Sequence, residues 1–543
     1  MIKRRVFLII VLILAFFLRF YKLGTNPPSL QWDEVAIGYD AYSILKTGKD
    51  QFGKSFPIFF RSLDDWKPGF YEYATVLPIA IFGLNEFSVR FPAAFFGVLT
   101  VWLTYLLLKE IFEKQEAIPP LASFFLAISP WHLQISRVAF EVTITIFIFV
   151  LANLLFFKGL KNSKLLIFSS LCFGLGFFTY HSARVIFPLM WLGLLIIFRK
   201  KAVFSIKTII CYCLPFILLT IIYIPFAFDS EIQVRFKATN ILDIDKNYQL
   251  SAQKILKATE SGWGGIAKII YNRRLSIITW KNLSRVLNNY FVHFEYGFLF
   301  LRADTALHHA PGVGLLYRWQ LPLIILGIIF LLKDYWKKET AFLLFWFLLA
   351  PLPASVTWGV PHAIRSALFI PTFEIFTAIG LIKAYQVLSI RRKTITKVFF
   401  LLIGAIVLLN IKQYLYSYYV ILPQKWSDKW LYGRKQAVEF TQENKQSYEK
   451  IIVSTKLEYP WVFWLFYSKY NPEEYLEEGG TTSGGFEEQV NKFDKYEFRE
   501  FDYLKERDEK TLFVGFPEEF PRSLQPIKQI YYLDGQPAIA IHK

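Results

Sequence analysis

Asp33 and Glu34 stand side by side in "QWDEVAIGYDAYSILKTGKD", residues 31–50, directly after an apolar run. An ionised carboxylate at the start of a helix is favoured by the helix dipole, and it can act as general base, metal ligand or plain cap. Val35, Tyr39, Tyr42 and Leu45 recur at helical spacing, which predicts a helix lying in a membrane interface with Asp33 near its N-terminus. More charged and imidazole groups recur at the edges of later apolar runs: Lys67 in "DDWKPG", Arg137 and Glu141 in "SRVAFE", His181 and Arg184 in "TYHSAR", His308 and His309 in "LHHAPG", His362 and Arg365 in "PHAIRS". Lys and Arg can neutralise a phosphate, Arg in bidentate fashion, and His can supply nitrogen ligands. Taken singly, each Arg or His at a helix end most simply reaches for lipid headgroups. No spacing among the carboxylates and histidines dictates a metal, so a divalent cation stays open.

The elements that must position these groups follow from composition. The chain has 543 residues, 54% of them hydrophobic and 19% charged. Its mean hydropathy is +0.35, too apolar for a soluble protein of this size. Eleven apolar segments, near residues 6–20, 87–108, 118–135, 142–157, 164–179, 184–198, 208–226, 319–332, 341–356, 366–385 and 396–411, predict a polytopic α-helical membrane protein with about 11 transmembrane helices. The net charge of +18 can signal nucleic acid, but here the cations fall in short clusters between apolar runs, which fits membrane topology instead. Cys172, Cys211 and Cys213 lie inside apolar runs and suggest neither a disulfide framework nor a zinc site.

"MIKRR", "KEIFEK", "KGLKNSK", "RKKAVFSIK", "KDYWKK" and "RRKTITK" occupy alternate connections, as the positive-inside rule requires if all six are cytoplasmic. The alternation holds only if residues 69–83, "GFYEYATVLPIAIFG", lie along the outer surface rather than cross. The N-terminus is then cytoplasmic, held by an uncleaved first segment that lacks a small-residue cleavage site. The candidate residues all fall on one extracytoplasmic face of the cell membrane, in an external loop 21–86 with in-plane helices, an external loop 227–317 and the shorter connections.

In order, "WDE", "WKPGFYEY", "SVRFPAAFFGVL", "SPWHLQISRVAFE" and "PHAIRS" resemble the C-type glycosyltransferases, in particular bacterial relatives of the protein O-mannosyltransferases (glycosyltransferase family 39) and of the lipid A aminoarabinose transferases. The resemblance covers roughly residues 5–410 and implies a GT-C fold over 1–412. It implies a polyprenyl-phosphate sugar donor and a protein, lipid or glycan acceptor. By the same likeness Asp33 is the catalytic carboxylate with Glu34 as companion, and Glu141 matches an acidic residue that is often Asp in relatives. Lys67 matches a Lys near the carrier phosphate, although Gly69 stands where many relatives have a second Pro. Donor phosphate would fall to Lys67 with Arg184 or Arg365, and His181, His308, His309 and His362 are left as substrate or metal contacts. Direct displacement with one base inverts the anomeric centre, whereas adjacent Asp33 and Glu34 do not suit the paired carboxylates of retaining hydrolases.

Within 227–317, "ESGWGGIAKIIYNRR" suits a lid or a recognition loop. Residues 413–543 change to mixed charge, and "KIIVST", "TLFVGF" and "PAIAIHK" predict strands of an extracytoplasmic α/β domain, with "EEGGTTSGGFEE" a flexible loop lacking phosphate-loop spacing. The competing reading is a polytopic lipid or glycan transporter or flippase without transferase activity, for which internal repeats and midplane charges are the expected signs.

Overall fold

The computed structural model describes residues 2–63, 65–199, 205–229, 231–233, 239–241, 280–334, 337–391, 393–482 and 490–543. The chain opens with α1 (Ile2–Phe20) and α2 (Trp32–Thr47), a hairpin of β1 (Phe59–Ser62) and β2 (Asp65–Pro68), then α3 (Phe70–Phe82) and α4 (Glu86–Ile111). It continues through α5 (Ile118–Ile128), α6 (Pro130–Ile135), α7 (Val142–Gly159), α8 (Lys164–Leu175), α9 (Ala183–Phe198) and α10 (Ile206–Phe228). Helices Gln320–Asp334, Lys338–Leu349, Ile370–Arg391 and Lys393–Tyr416 complete the apolar part. Every apolar run read from the sequence is helical. Among the described residues, five helices are long and apolar enough to cross a membrane: Glu86–Ile111, Val142–Gly159, Ile206–Phe228, Ala367–Ser389 and Lys393–Lys425.

Two runs read as single spans are interrupted. Residues 118–135 break at Ser129, where ψ is 121° and Pro130 begins a new helix. Residues 341–356 break after Leu349, ahead of Pro351, and resume as the short turn Leu352–Ser355. In both cases a proline that cannot donate a helical hydrogen bond restarts the chain as a separate helix. The "ESGWGGIAKIIYNRR" stretch lies outside the described residues.

Between α1 and α4 the polar insert forms a small platform. β1 and β2 pair antiparallel, with Phe60 opposite Lys67 and Arg61 opposite Trp66. α2 begins with a capping box in which the Glu34 carboxylate accepts from the backbone N–H of Gln31, and it ends at Gly48, whose φ of 72° suits only a residue without Cβ. One side of α2 meets α3 and α4, and the other meets the helix Pro460–Ser468. A Cβ on Gly38 would stand 2.5 Å from the Phe466 ring and 2.7 Å from Val89, so the glycine lets both neighbours approach. Leu45 is exposed while residues from both sides of the helix, including Glu34 and Asp40, are buried. The expected interfacial helix with one apolar stripe is therefore replaced by a helix sandwiched between two packed surfaces.

Arg137 also departs from the simple reading of an arginine at a helix end. Its side chain is buried, and its guanidinium donates to the backbone carbonyls of Leu18, Arg19, Tyr21 and Asn26 and to the Tyr418 hydroxyl, at 2.8–3.2 Å. The last carbonyls of α1 lack intrahelical donors, and Arg137 supplies them.

The C-terminal part carries a six-stranded mixed sheet in the order β4-β5-β3-β6-β8-β7. Its members are β3 (Lys450–Val453), β4 (Asn491–Phe493), β5 (Tyr496–Phe498), β6 (Thr511–Gly515), β7 (Lys528–Tyr531) and β8 (Pro537–His542). β3 runs parallel to β5 and β6, and the other pairs are antiparallel. The three predicted strands are β3, β6 and β8. No linker marks residue 412, because Lys393–Tyr416 continues through a π-helical turn, Ser417–Ile421, into Leu422–Lys425. The first part of the glycine-rich loop is anchored rather than loose: the Thr481 N–H donates to the Gln51 carbonyl at 3.0 Å and its hydroxyl to the Gln51 side chain at 3.0 Å. Residues 483–489 of that loop lie outside the described residues.

Candidate active site

Asp33 stands in the first turn of α2, and its carboxylate is hydrogen-bonded and ion-paired with the Lys67 ammonium of β2. The two partners differ in exposure: the Lys67 side chain is 6% exposed and that of Asp33 is 48% exposed. A buried cation thus lies beneath a carboxylate that remains open to an incoming group. Burial disfavours the charge on Lys67, but Asp33, Glu141 and Asp65 together outweigh it and raise the ammonium above its ordinary range. Lys67 therefore keeps its proton across the neutral range.

Glu34 has a different place from the one its adjacency to Asp33 suggests. It is buried, and both oxygens are fully engaged: Arg90 donates through Nε at 2.9 Å and Nη2 at 3.1 Å, the Gln31 N–H at 3.0 Å and the Ala139 N–H at 3.0 Å. Arg90 spends its remaining donors on the carbonyls of Leu23, Pro27 and Ser29. Each Glu34 oxygen thus accepts two hydrogen bonds. Glu34 fixes the start of α2 to α4 and to the segment that leads into Glu141.

Glu141 is mostly buried at the start of α7, and its charge reaches Lys67. Glu72, which the sequence reading passed over, sits in the first turn of α3 with 1% exposure, and its Oε2 has no hydrogen-bond partner among the described residues. Burial first, and then the neighbouring Glu141 carboxylate, push Glu72 well above the usual carboxylate range. Its signal was available in "KPGFYEY": a carboxylate opening an apolar helix is costly unless it has a task or a partner.

A cavity of about 350 Å³ has His181, Arg184 and Arg365 on its polar wall and Tyr223, Phe226 and Val356 among its apolar lining. The Arg184 guanidinium lies 5.3 Å from the Phe59 ring centroid and 5.4 Å from that of Tyr223. Arg365 donates through Nη1 to the Thr357 hydroxyl at 2.8 Å and the Trp358 carbonyl at 2.7 Å, which fixes its fork. His181 Nε2 approaches Asp65 at 3.9 Å and so joins the cavity to the strand that carries Lys67.

The remaining histidines divide. His308 and His362 gather around Asp304, another residue the sequence reading missed. His308 also meets the ring of Phe140, the residue before Glu141, with centroids 5.7 Å apart. His309 turns elsewhere: its Nδ1 lies 2.8 Å from the Thr305 carbonyl and its ring packs on Trp426 at 5.1 Å. Asp33, Lys67, Glu141, His181, Arg184 and Arg365 thus belong to one neighbourhood, whereas Glu34 and His309 are held in supporting contacts.

Residues 67–227 match the model of the dolichyl-phosphate-mannose-protein mannosyltransferase family, a span that opens at Lys67 itself. The candidate mannosyltransferase YkcB of Bacillus subtilis (strain 168) is 29% identical over 159 residues, 29% of this chain and 21% of the relative's length. The structure of ArnT from Cupriavidus metallidurans bound to undecaprenyl phosphate superposes with a TM-score of 0.50 at 12% identity, over 98% of this chain and 97% of that one. AglB from Archaeoglobus fulgidus, in complex with an inhibitory peptide and a dolichol-phosphate, gives 0.51 at 16% identity, over 86% of this chain and 64% of that one. The chain is thus similar in fold to ArnT and AglB, and its residues 67–227 are similar to the dolichyl-phosphate-mannose-protein mannosyltransferase family.

Proposed function

We propose that the protein transfers a sugar from a polyprenyl-phosphate donor to a hydroxyl acceptor at the outer face of the membrane, with inversion. The observation that carries this reading is the half-exposed Asp33 carboxylate held on a buried Lys67, together with a cavity that has an apolar wall and two arginines. In the proposed step the acceptor hydroxyl attacks the anomeric carbon while Asp33 takes its proton. The bond to the phosphate oxygen breaks, and the carrier leaves as its phosphate. Lys67, Arg184 and Arg365 stabilise the charge developing on that phosphate. Glu141 adds negative charge beside Lys67, and Glu34 with Arg90 positions the start of α2 and with it Asp33. The dolichol-phosphate and undecaprenyl phosphate held by AglB and ArnT support the carrier class.

The test is to incubate purified protein with a panel of polyprenyl-phosphate sugars and follow the released carrier phosphate. Release with at least one lipid donor, and none with the matching nucleotide sugar, is expected. Lys67→Ala should lower kcat/KM for the lipid donor by roughly 10-fold or more, and Lys67→Arg should retain part of the rate because it keeps the cation. Indifference to Lys67→Ala, or efficient use of the nucleotide sugar, would defeat the reading.

Sidedness is tested separately. In a background with the three native cysteines replaced, Cys at exposed Ser55 or Ser523 should react with an impermeant maleimide in intact cells, and Cys at exposed Ser163 should not. Labelling of the Ser163 position from outside would put the site on the wrong face.

A further inference from the structure

Asp304, His308 and His362 form a group whose ligand atoms all lie within 4.8 Å of one another. Asp304 Oδ2 is 2.8 Å from His308 Nδ1, 3.7 Å from His362 Nδ1 and accepts the Ala363 N–H at 2.9 Å. Its other oxygen, Oδ1, is buried and has no hydrogen-bond partner among the described residues, although the side chain is only 8% exposed. A buried carboxylate oxygen without a donor is costly, and a cation is the occupant that relieves it. The loop and rings around it are held: the His362 backbone N–H donates to His293 Nε2 at 3.2 Å, His362 Nδ1 accepts from the Arg365 backbone N–H at 3.4 Å, and Phe140 packs edge-on to the His308 ring.

We infer that Asp304, His308 and His362 bind one zinc ion, and that this ion ties the loop after Gly297–Arg302 to the "PHAIRS" loop. Two imidazole nitrogens and one carboxylate oxygen suit Zn²⁺ better than Mg²⁺ or Ca²⁺, which take oxygen ligands. In a tetrahedral site with bonds near 2.0–2.1 Å the ligand atoms stand about 3.3 Å apart, so side-chain rotations of roughly 1 Å close the cluster. A ligating imidazole nitrogen carries no proton, so a proton held there is released to solvent when zinc binds. His362 lies three residues before Arg365, so the ion fixes the segment that carries this guanidinium to the cavity wall. The ion site stands on the cluster alone; its effect on Arg365 rests on reading that cavity as the donor-phosphate site.

The experiment uses the full chain purified in detergent without a polyhistidine tag, stripped with chelator and titrated with zinc alone. Uptake of one Zn²⁺ per chain is expected, measured by elemental analysis, with a tetrahedral cobalt spectrum when Co²⁺ is substituted. His308→Gln and His362→Gln should each weaken zinc binding by at least roughly 10-fold, the lower end of what losing even an outer-shell partner costs. No uptake by the wild-type chain, or unchanged uptake in both variants, overturns the site. These readouts need no sugar donor, so their failure is separate from failure of the transferase reading. If the ion serves Arg365, zinc removal raises the KM for the lipid donor and leaves kcat nearly unchanged; an equal KM with and without zinc overturns that part.

Discussion

Asp33→Asn is expected to lower turnover by roughly 10²–10⁴-fold, the range in which a positioned general base contributes. The substitution keeps the size of the side chain and an oxygen that can accept from Lys67, so the helix start and hairpin contact survive. It removes the capacity to take a proton. Glu141 and Asp65 still favour the charge on Lys67 in the variant. The loss should therefore fall on kcat, with carrier binding and the thermal unfolding midpoint close to those of the parent. Single-turnover release of carrier phosphate measures this directly. A variant that turns over at near-normal rate would reduce Asp33 to a counter-ion for Lys67.

The second large effect concerns stability rather than chemistry. Arg90→Met removes one partner of a fully buried, bidentate ion pair and leaves Glu34 charged in a buried site. Breaking such a pair from one side costs about 3–5 kcal/mol. The three backbone carbonyls that Arg90 bridges, those of Leu23, Pro27 and Ser29, lose their donor as well. A marked fall in the detergent unfolding midpoint and in the yield of folded protein is expected. Glu34→Gln combined with Arg90→Met should recover part of the loss, since neither half is then left charged alone. A single Arg90→Met variant within about 1 kcal/mol of the parent would show that the pair is not the joint described above.

Much of the scaffold was readable because its signals are local. Hydrophobic length and period located the apolar helices described up to residue 416 but missed the buried helix Pro460–Ser468, and the three strand runs of the C-terminal sheet followed from short β-branched or aromatic stretches. The grouping of Asp33 with Lys67 and Glu141 came from assigning loops to one face and from the family likeness; no spacing in the chain connects them. What was missed depends on partners far away in sequence. Glu34 looks like a second catalytic carboxylate until Arg90, 56 residues on, and Ala139, 105 residues on, take its oxygens. Asp304 carries no motif and acquires meaning only when His362 folds next to it. Glu72 was legible in principle as a lone carboxylate opening an apolar helix, but the surrounding "KPGFYEY" drew attention to Lys67 instead. The break at Ser129 is marked by "SPW" yet was overridden by the assumption that an 18-residue apolar run makes one span.

The contact of Gly38 with Phe466 sets a clock on biosynthesis. At a translation rate of 5–20 residues per second, the roughly 430 residues between them take on the order of 20–90 s to appear. For that interval Val89 is available to one side of the helix while the surface that will cover its other side has not yet been made. A chain whose synthesis stops early therefore leaves an α2 that never receives its second wall.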